Sequence, residues 1–158
     1  MTRIAIITAG LLALACNGSP GLTAAEQANI DTLQARIATY NAQAEGWADD
    51  FLAGLADDFV YRAYVPWAPD RMTADRQQLI EMMKGAAKAF PDRRTTIHNL
   101  IASGDTVISE SEWSGTASDQ NPRLKAGERQ VVRGVLFERF RDGKIIEMRE
   151  YAIVVPAS

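Results

Sequence analysis

The sequence predicts an α+β fold, a cone-shaped, curved and mostly antiparallel sheet with three helices packed on its concave side. Three observations predict it. Helical stretches with one strand among them fill the chain to about residue 90 and four strand-like runs follow, which is the element order of an α+β domain. The stretch GERQVVRGVLFERFRDGKIIEMREYAI, residues 127–153, holds two runs rich in β-branched and aromatic residues, 131–140 and 144–153. Between them Arg141-Asp142-Gly143 supplies the turn chemistry of a long antiparallel hairpin. Alternation along its first strand sends Gly134, Leu136, Glu138 and Phe140 one way and Val131, Arg133, Val135, Phe137 and Arg139 the other, so each face carries apolar side chains. Such a sheet takes a helical layer on one side, and a second copy of the chain is expected on the other, giving a homodimer.

The remaining elements follow in order. Thr23 and Glu26 stand in capping-box spacing before Ile30, Leu33, Ile37, Tyr40 and Ala44, the apolar stripe of a long first helix. Gly46 breaks it, and Trp47, Phe51 and Leu55 line a second, shorter helix that Asp57-Asp58 should end. Residues 59–64, FVYRAY, read as a strand, and Pro66-Trp67-Ala68-Pro69-Asp70 as a loop. Thr73 is the expected cap of a third helix over 74–89, with Leu79, Ile80, Met83, Ala87 and Phe90 on its stripe and Pro91-Asp92 as its stop. Strands are expected at 93–102 and 106–115 around Ser103-Gly104-Asp105, then a polar loop over 116–128.

A chain of 158 residues supports one core, so 23–158 is expected to form one domain. Ahead of it, residues 1–16, MTRIAIITAGLLALAC, combine Arg3, an apolar run too short to span a bilayer, and small residues before the only cysteine, the pattern of a secretory signal. Leu12-Ala13-Leu14-Ala15-Cys16 resembles a bacterial lipobox, in which the cysteine is lipidated and becomes the new N-terminus; the other reading is an ordinary signal peptidase cut beside a lone thiol. Residues 17–22 then form a tether. The expected location is outside the cytoplasm, in the cell envelope, with a lipid anchor as the membrane contact. A net charge of −3 without a Lys/Arg cluster argues against a nucleic-acid partner.

Phe90-Pro91-Asp92, the run LIASGDTV at 100–107, Gly115-Thr116, Gly127-Glu128-Arg129 and the run FRDGKI at 140–145 together resemble the SnoaL-like polyketide cyclases of the nuclear transport factor 2-like superfamily. The resemblance covers roughly residues 26 to 151 and implies an α+β cone with a small-molecule pocket. It also implies site positions. Where such cyclases carry a histidine, a glutamine and an acid/base aspartate, Leu136, Gly134 and Glu150 stand here, so only the carboxylate is kept. The base and acid of ketosteroid isomerases fall on Ala63 and Leu136, which argues against steroid isomerisation. Ser111 and Trp113 occupy two places of the epoxide-hydrolase triad.

Two titratable side chains are candidates for chemistry. Glu150 alternates with Met148 and Ala152 and should face the cone, where it is either a general acid/base tuned by desolvation or the partner of an arginine or tyrosine hydroxyl. His98 pairs with Ser109 if the Ser103-Gly104 turn is tight, with Leu100 beside Val107 and Thr96 beside Ser111; it is then a proton shuttle on the concave face, or else a hydrogen-bonded histidine at a sheet edge. Tyr40, Trp47, Tyr61, Tyr64, Trp67, Met83, Ser111, Trp113, Leu136 and Met148 are the expected lining of a pocket for a flat, partly apolar organic ligand. No metal site and no cofactor are expected. The chain should be a carbonyl-directed cyclase, isomerase or hydratase, or an envelope binder of an apolar metabolite without turnover.

Overall fold

The structure, a computed structural model, describes residues 21–156, so the leader and Cys16 lie outside it. Thr23 accepts a hydrogen bond from the Glu26 amide and the Glu26 carboxylate accepts one from the Thr23 amide, closing the capping box that opens α1 (Ala24–Ala42). Gly46, at φ 80, takes the left-handed conformation that turns the chain into α2 (Trp47–Ala53). That helix is shorter than its spacing suggests. Leu55, expected on its apolar face, already begins β1 (Leu55–Val65), and the Asp57-Asp58 pair lies within the strand instead of ending a helix. A short apolar run fits either period, and burial of Leu55 in the core decides for the strand.

The segment expected to be a loop is mostly strand. Only Pro66 and Trp67 turn, and β2 (Ala68–Asp75) returns alongside β1. Pro69 is tolerated there because β2 is an edge of the sheet, with no second neighbour to ask for its missing N–H. Asp75, two residues beyond Thr73, caps α3 (Arg76–Ala89) through a reciprocal box with Gln78. Then come β3 (Arg94–Ser103), β4 (Thr106–Thr116), the loop 117–128, β5 (Arg129–Arg141) and β6 (Lys144–Val155). Asp142 and Gly143, both at positive φ, make the tight turn of the last hairpin.

The six strands lie in the order β2-β1-β6-β5-β4-β3, antiparallel except for β1, which runs parallel to β6. α1 packs over β3 and β4 while α3 packs over β1 and β2, and Leu33, Phe51, Phe59, Ile80, Val107 and Ile145 fill the core between layers. On the other face, Arg133 pairs with Glu112 at 2.8 Å and Glu147 receives Arg62 and Arg139, so cross-strand charges of opposite sign line it as alternation requires.

The β3–β4 register differs from the expected one. The turn is Gly104-Asp105, so Leu100 lies opposite Ser109 and Ala102 opposite Val107, and a bulge interrupts the ladder between Ile97 and Asn99. Thr95 and Ile97 face the helices before the bulge, and Leu100 and Ala102 pack inward after it. His98 sits in the bulge, exposed and turned toward the convex face beside Tyr64, Glu110, Arg133 and Tyr151, away from Ser109.

Candidate functional site

Between the concave face of the sheet, α1 and α3 lies a cavity of about 660 Å³, within the size range of small-molecule sites. Alternation along β5 gives it a depth axis. Glu138, Leu136, Val132 and Gln130 all line it, with Glu138 buried beside Arg36 and Phe51 at the floor and Gln130 next to the loop 117–128 at the mouth. Arg123 of that loop reaches over the Trp67 ring at 5.8 Å, joining two walls of the mouth by a cation–π contact. The walls are mainly apolar: Leu33 and Ile37 from α1, Leu79 and Met83 from α3, Ile97 from β3, Met148 from β6.

Polar side chains enter this lining at a few places. At the floor, Arg36 Nη1 donates to Glu138 Oε1 at 3.0 Å, with the two side chains 6% and 1% exposed. The guanidinium also lies 4.1 Å over the Phe51 ring. Burial lowers the Arg36 guanidinium and raises the Glu138 carboxyl from their ordinary values, and the attraction within the pair opposes both shifts. Arg36 Nε and Nη2 and Glu138 Oε2 have no partner among the described residues, so the pair is only partly satisfied.

Glu150 stands opposite Leu136, and Glu138 opposite Met148, so the two carboxyls occupy diagonal places on neighbouring strands, about 7–8 Å apart at the backbone. Their partners differ. Tyr61, reaching across from β1, donates its hydroxyl to Glu150 Oε2. Burial raises the Glu150 carboxyl above the ordinary carboxylate range, and the Tyr61 bond pulls the other way. Burial and the adjacent carboxylate push the Tyr61 hydroxyl upward too, so it keeps its proton. Oε1 of Glu150 makes no hydrogen bond to the described residues and is available to a ligand. Thr95, Ser109, Ser111 and Tyr40 add hydroxyls to the lining, and the Trp113 indole N–H donates to the Tyr40 oxygen at 3.1 Å. Burial raises the Tyr40 hydroxyl, the Trp113 bond and the Arg93 charge oppose that, and the charge of Glu150 adds to it.

The family model described as the SnoaL-like domain matches residues 37–148. The chain belongs to the SnoaL-like family. No curated protein matches it. Among solved structures, a candidate SnoaL-like polyketide cyclase from Jannaschia sp. CCS1 superposes with a TM-score of 0.70 at 19% identity, over 84% of this chain and 90% of that one. IdmH, a candidate polyketide cyclase from Streptomyces antibioticus, gives 0.63 at 20% identity over 78% and 91%. A candidate ketosteroid isomerase from Kribbella flavida gives 0.56 at 20% identity over 84% and 81%. The fold is therefore that of the nuclear transport factor 2-like superfamily.

Within this SnoaL-like domain the cavity gathers Glu150, Tyr40, Tyr61, Trp67, Met83, Ser111, Trp113, Leu136 and Met148. Three expected residues lie elsewhere. His98 is on the opposite face of the sheet. Trp47 lies behind Tyr40, edge-on to it at 5.7 Å. Tyr64 points outward, 42% exposed, and stacks on Tyr151 at 4.8 Å. Its parity gave the signal: Tyr61, Ala63 and Val65 are the buried set, so Tyr64 must face away. Arg36 and Glu138 were not anticipated, although Glu138 shares the parity of Leu136 and Arg36 falls between Leu33 and Tyr40 on the buried stripe of α1.

Proposed function

We propose that this SnoaL-like domain binds a flat, largely apolar organic molecule carrying a carbonyl group and transfers a proton on it, with Glu150 as the acid/base. The observation that carries the reading is Glu150, which of the two carboxyls lining the mainly apolar cavity is the one without an arginine partner, held on one oxygen by Tyr61 and open on the other. A base is most effective when its pKa lies near the working pH, and burial moves Glu150 in that direction. In the step, Glu150 takes a proton from the carbon beside the carbonyl. The C–H electron pair moves into the carbon–carbon bond, and the carbonyl pair moves onto oxygen to give an enolate. Return of the proton at another carbon is isomerisation; attack of the enolate carbon on a second carbonyl of the same molecule closes a ring, the π pair of that carbonyl moving onto its oxygen, which takes the proton back from Glu150. Tyr61 orients the carboxyl in this scheme, because its one hydroxyl hydrogen is already given to Glu150.

Export and lipid anchoring through Cys16 are part of the proposal and rest on the sequence of residues 1–16. Among the described residues the cavity offers a single carboxyl open to a ligand, which favours a second reading, an envelope protein that holds an apolar metabolite without turnover. Mass spectrometry of the molecule carried by protein purified from its own host supplies the compound. Glu150→Gln is then expected to bind it as the wild type does and to abolish its conversion. Conversion at full rate by that variant would refute the acid/base role, and binding without conversion by the wild type would establish the second reading.

A further inference from the structure

Enolate formation places negative charge on the ligand's oxygen inside a cavity that already holds acidic groups, so a donor must meet that oxygen. Tyr61 has no hydrogen left to give, and His98 is on the other side of the sheet. Tyr40 has one. An indole N–H can only donate, so in the 3.1 Å bond from Trp113 the Tyr40 oxygen is the acceptor. Its phenolic hydrogen then has no acceptor among the described residues, and both rings line the cavity.

Behind Tyr40 stands a buried cation that the proton transfer does not use. Arg93 is 2% exposed. Its Nε and Nη2 have no hydrogen-bond partner among the described residues, and no carboxylate there pairs with it. The guanidinium lies over the ring of Tyr40 at 4.7 Å and of Trp47 at 4.8 Å. Its backbone is fixed by Arg93 N–H donating to Phe90 O and by the Gln43 side-chain amide donating to Arg93 O. Two aromatic faces offset only part of what burying an unpaired charge costs. Its field favours negative charge on the cavity side of Tyr40.

We propose that the Tyr40 hydroxyl is the seat of the ligand's carbonyl oxygen, donating to it as charge develops there, with Trp113 and Arg93 as the positioning residues that aim and polarise that hydroxyl. This rests on the proton-transfer reading above and narrows its ligand to a molecule whose oxygen can become an oxyanion, an enolisable ketone or a phenol. Glu150 and Tyr40 then act on one carbonyl unit, the first at its carbon and the second at its oxygen.

The test uses 2-naphthol, a flat apolar molecule with one ionisable oxygen and distinct absorbance in its two forms. It is titrated with pH while bound to the full-length protein in a Glu150→Gln background, which removes the carboxylate beside the probe. The bound probe is expected to ionise more readily than in the additional variant Tyr40→Phe by about tenfold to a hundredfold, the worth of a hydrogen bond to a charged group. Arg93→Met and Trp113→Phe should each lose part of that gain while Arg93→Lys keeps most of it. A role in packing alone would move stability and leave the probe's ionisation unchanged. If Arg93→Met does not fold, Tyr40→Phe and Trp113→Phe still decide the matter. Equal ionisation of bound 2-naphthol in all variants would overturn the proposal and leave the cavity reading standing. Failure of the parent protein to bind 2-naphthol would count against the cavity reading itself, and this proposal would fall with it.

Discussion

Replacing Arg36 by Met removes the cation from the floor of the cavity and leaves Glu138, 1% exposed, without its one hydrogen-bond donor among the described residues. Breaking a buried ion pair from one side costs about 3–5 kcal/mol, because the surviving charge keeps its desolvation penalty and loses its partner. For a domain of this size that lowers Tm by roughly 6 to 20 °C. The double replacement Arg36→Met with Glu138→Met should behave differently. It removes the three atoms that already lack partners, Arg36 Nε and Nη2 and Glu138 Oε2, and substitutes apolar side chains against Phe51. Stability within about 1 kcal/mol of the wild type, or above it, is expected. Urea unfolding at neutral pH and thermal unfolding followed by circular dichroism supply both numbers. The pH dependence gives an internal check. In the single variant the carboxyl rises further above its unfolded value, so its contribution is most favourable at low pH and is lost as pH rises through the folded value. The deficit should therefore shrink in acid. A single variant within about 1 kcal/mol of the wild type, or a double variant as weak as the single, would refute the argument that this pair is buried and only partly satisfied.

Glu150 gives the same sign of pH dependence. Its folded value is raised, so its contribution is full below the ordinary value of 4.5 and is lost as pH climbs through the folded one; Glu150→Gln should flatten that slope, and an unchanged slope of unfolding free energy against pH would count against burial of this carboxyl. Cys16→Ser should move the protein from the membrane fraction to the soluble one and abolish fatty-acid labelling, and an unlabelled, soluble wild type would remove the anchor. The convex face exposes Tyr64, Tyr151 and Ile153 at 42%, 44% and 61%, so light scattering of the anchor-free protein should give twice the monomer mass and Tyr151→Glu should halve it; a monomer at every concentration would exclude the dimer.

Local chemistry made most of the fold legible. The Thr23-Glu26 box, the Gly46 break and the Asp142-Gly143 turn each act within a few residues and lie where their chemistry demands. What escaped depends on partners distant in sequence. β2 carries a proline and charges unlike an interior strand, and it survives because only β1 has to pair with it. The bulge at His98 adds one residue to β3, which reverses side-chain parity on either side of it, so a reading by alternation placed His98 in the cavity when it lies outside. Glu150, Met148 and Leu136 were legible because β5 and β6 keep an unbroken register over that stretch. The sequence allows an arginine or a tyrosine as the partner of Glu150, and only the parallel docking of β1 decides for Tyr61.

That docking also governs the order in which the molecule can be built. β3 to β6 are joined by two tight turns and one longer loop and can zip from neighbour to neighbour, whereas β1 has no ladder on that side until β6, near the end of the chain, is in place. Tyr61 and Glu150 are separated by 89 residues, and the entropy of closing so long a loop must be met before their contact forms. Long-range pairing of this kind slows folding from microseconds toward about milliseconds to seconds. The Tyr61–Glu150 pair and the wall of the cavity between β1 and β6 therefore arise in one late event. Any chain that ends before Lys144 has made its helices and most of its hairpins but has no cavity to put a ligand in.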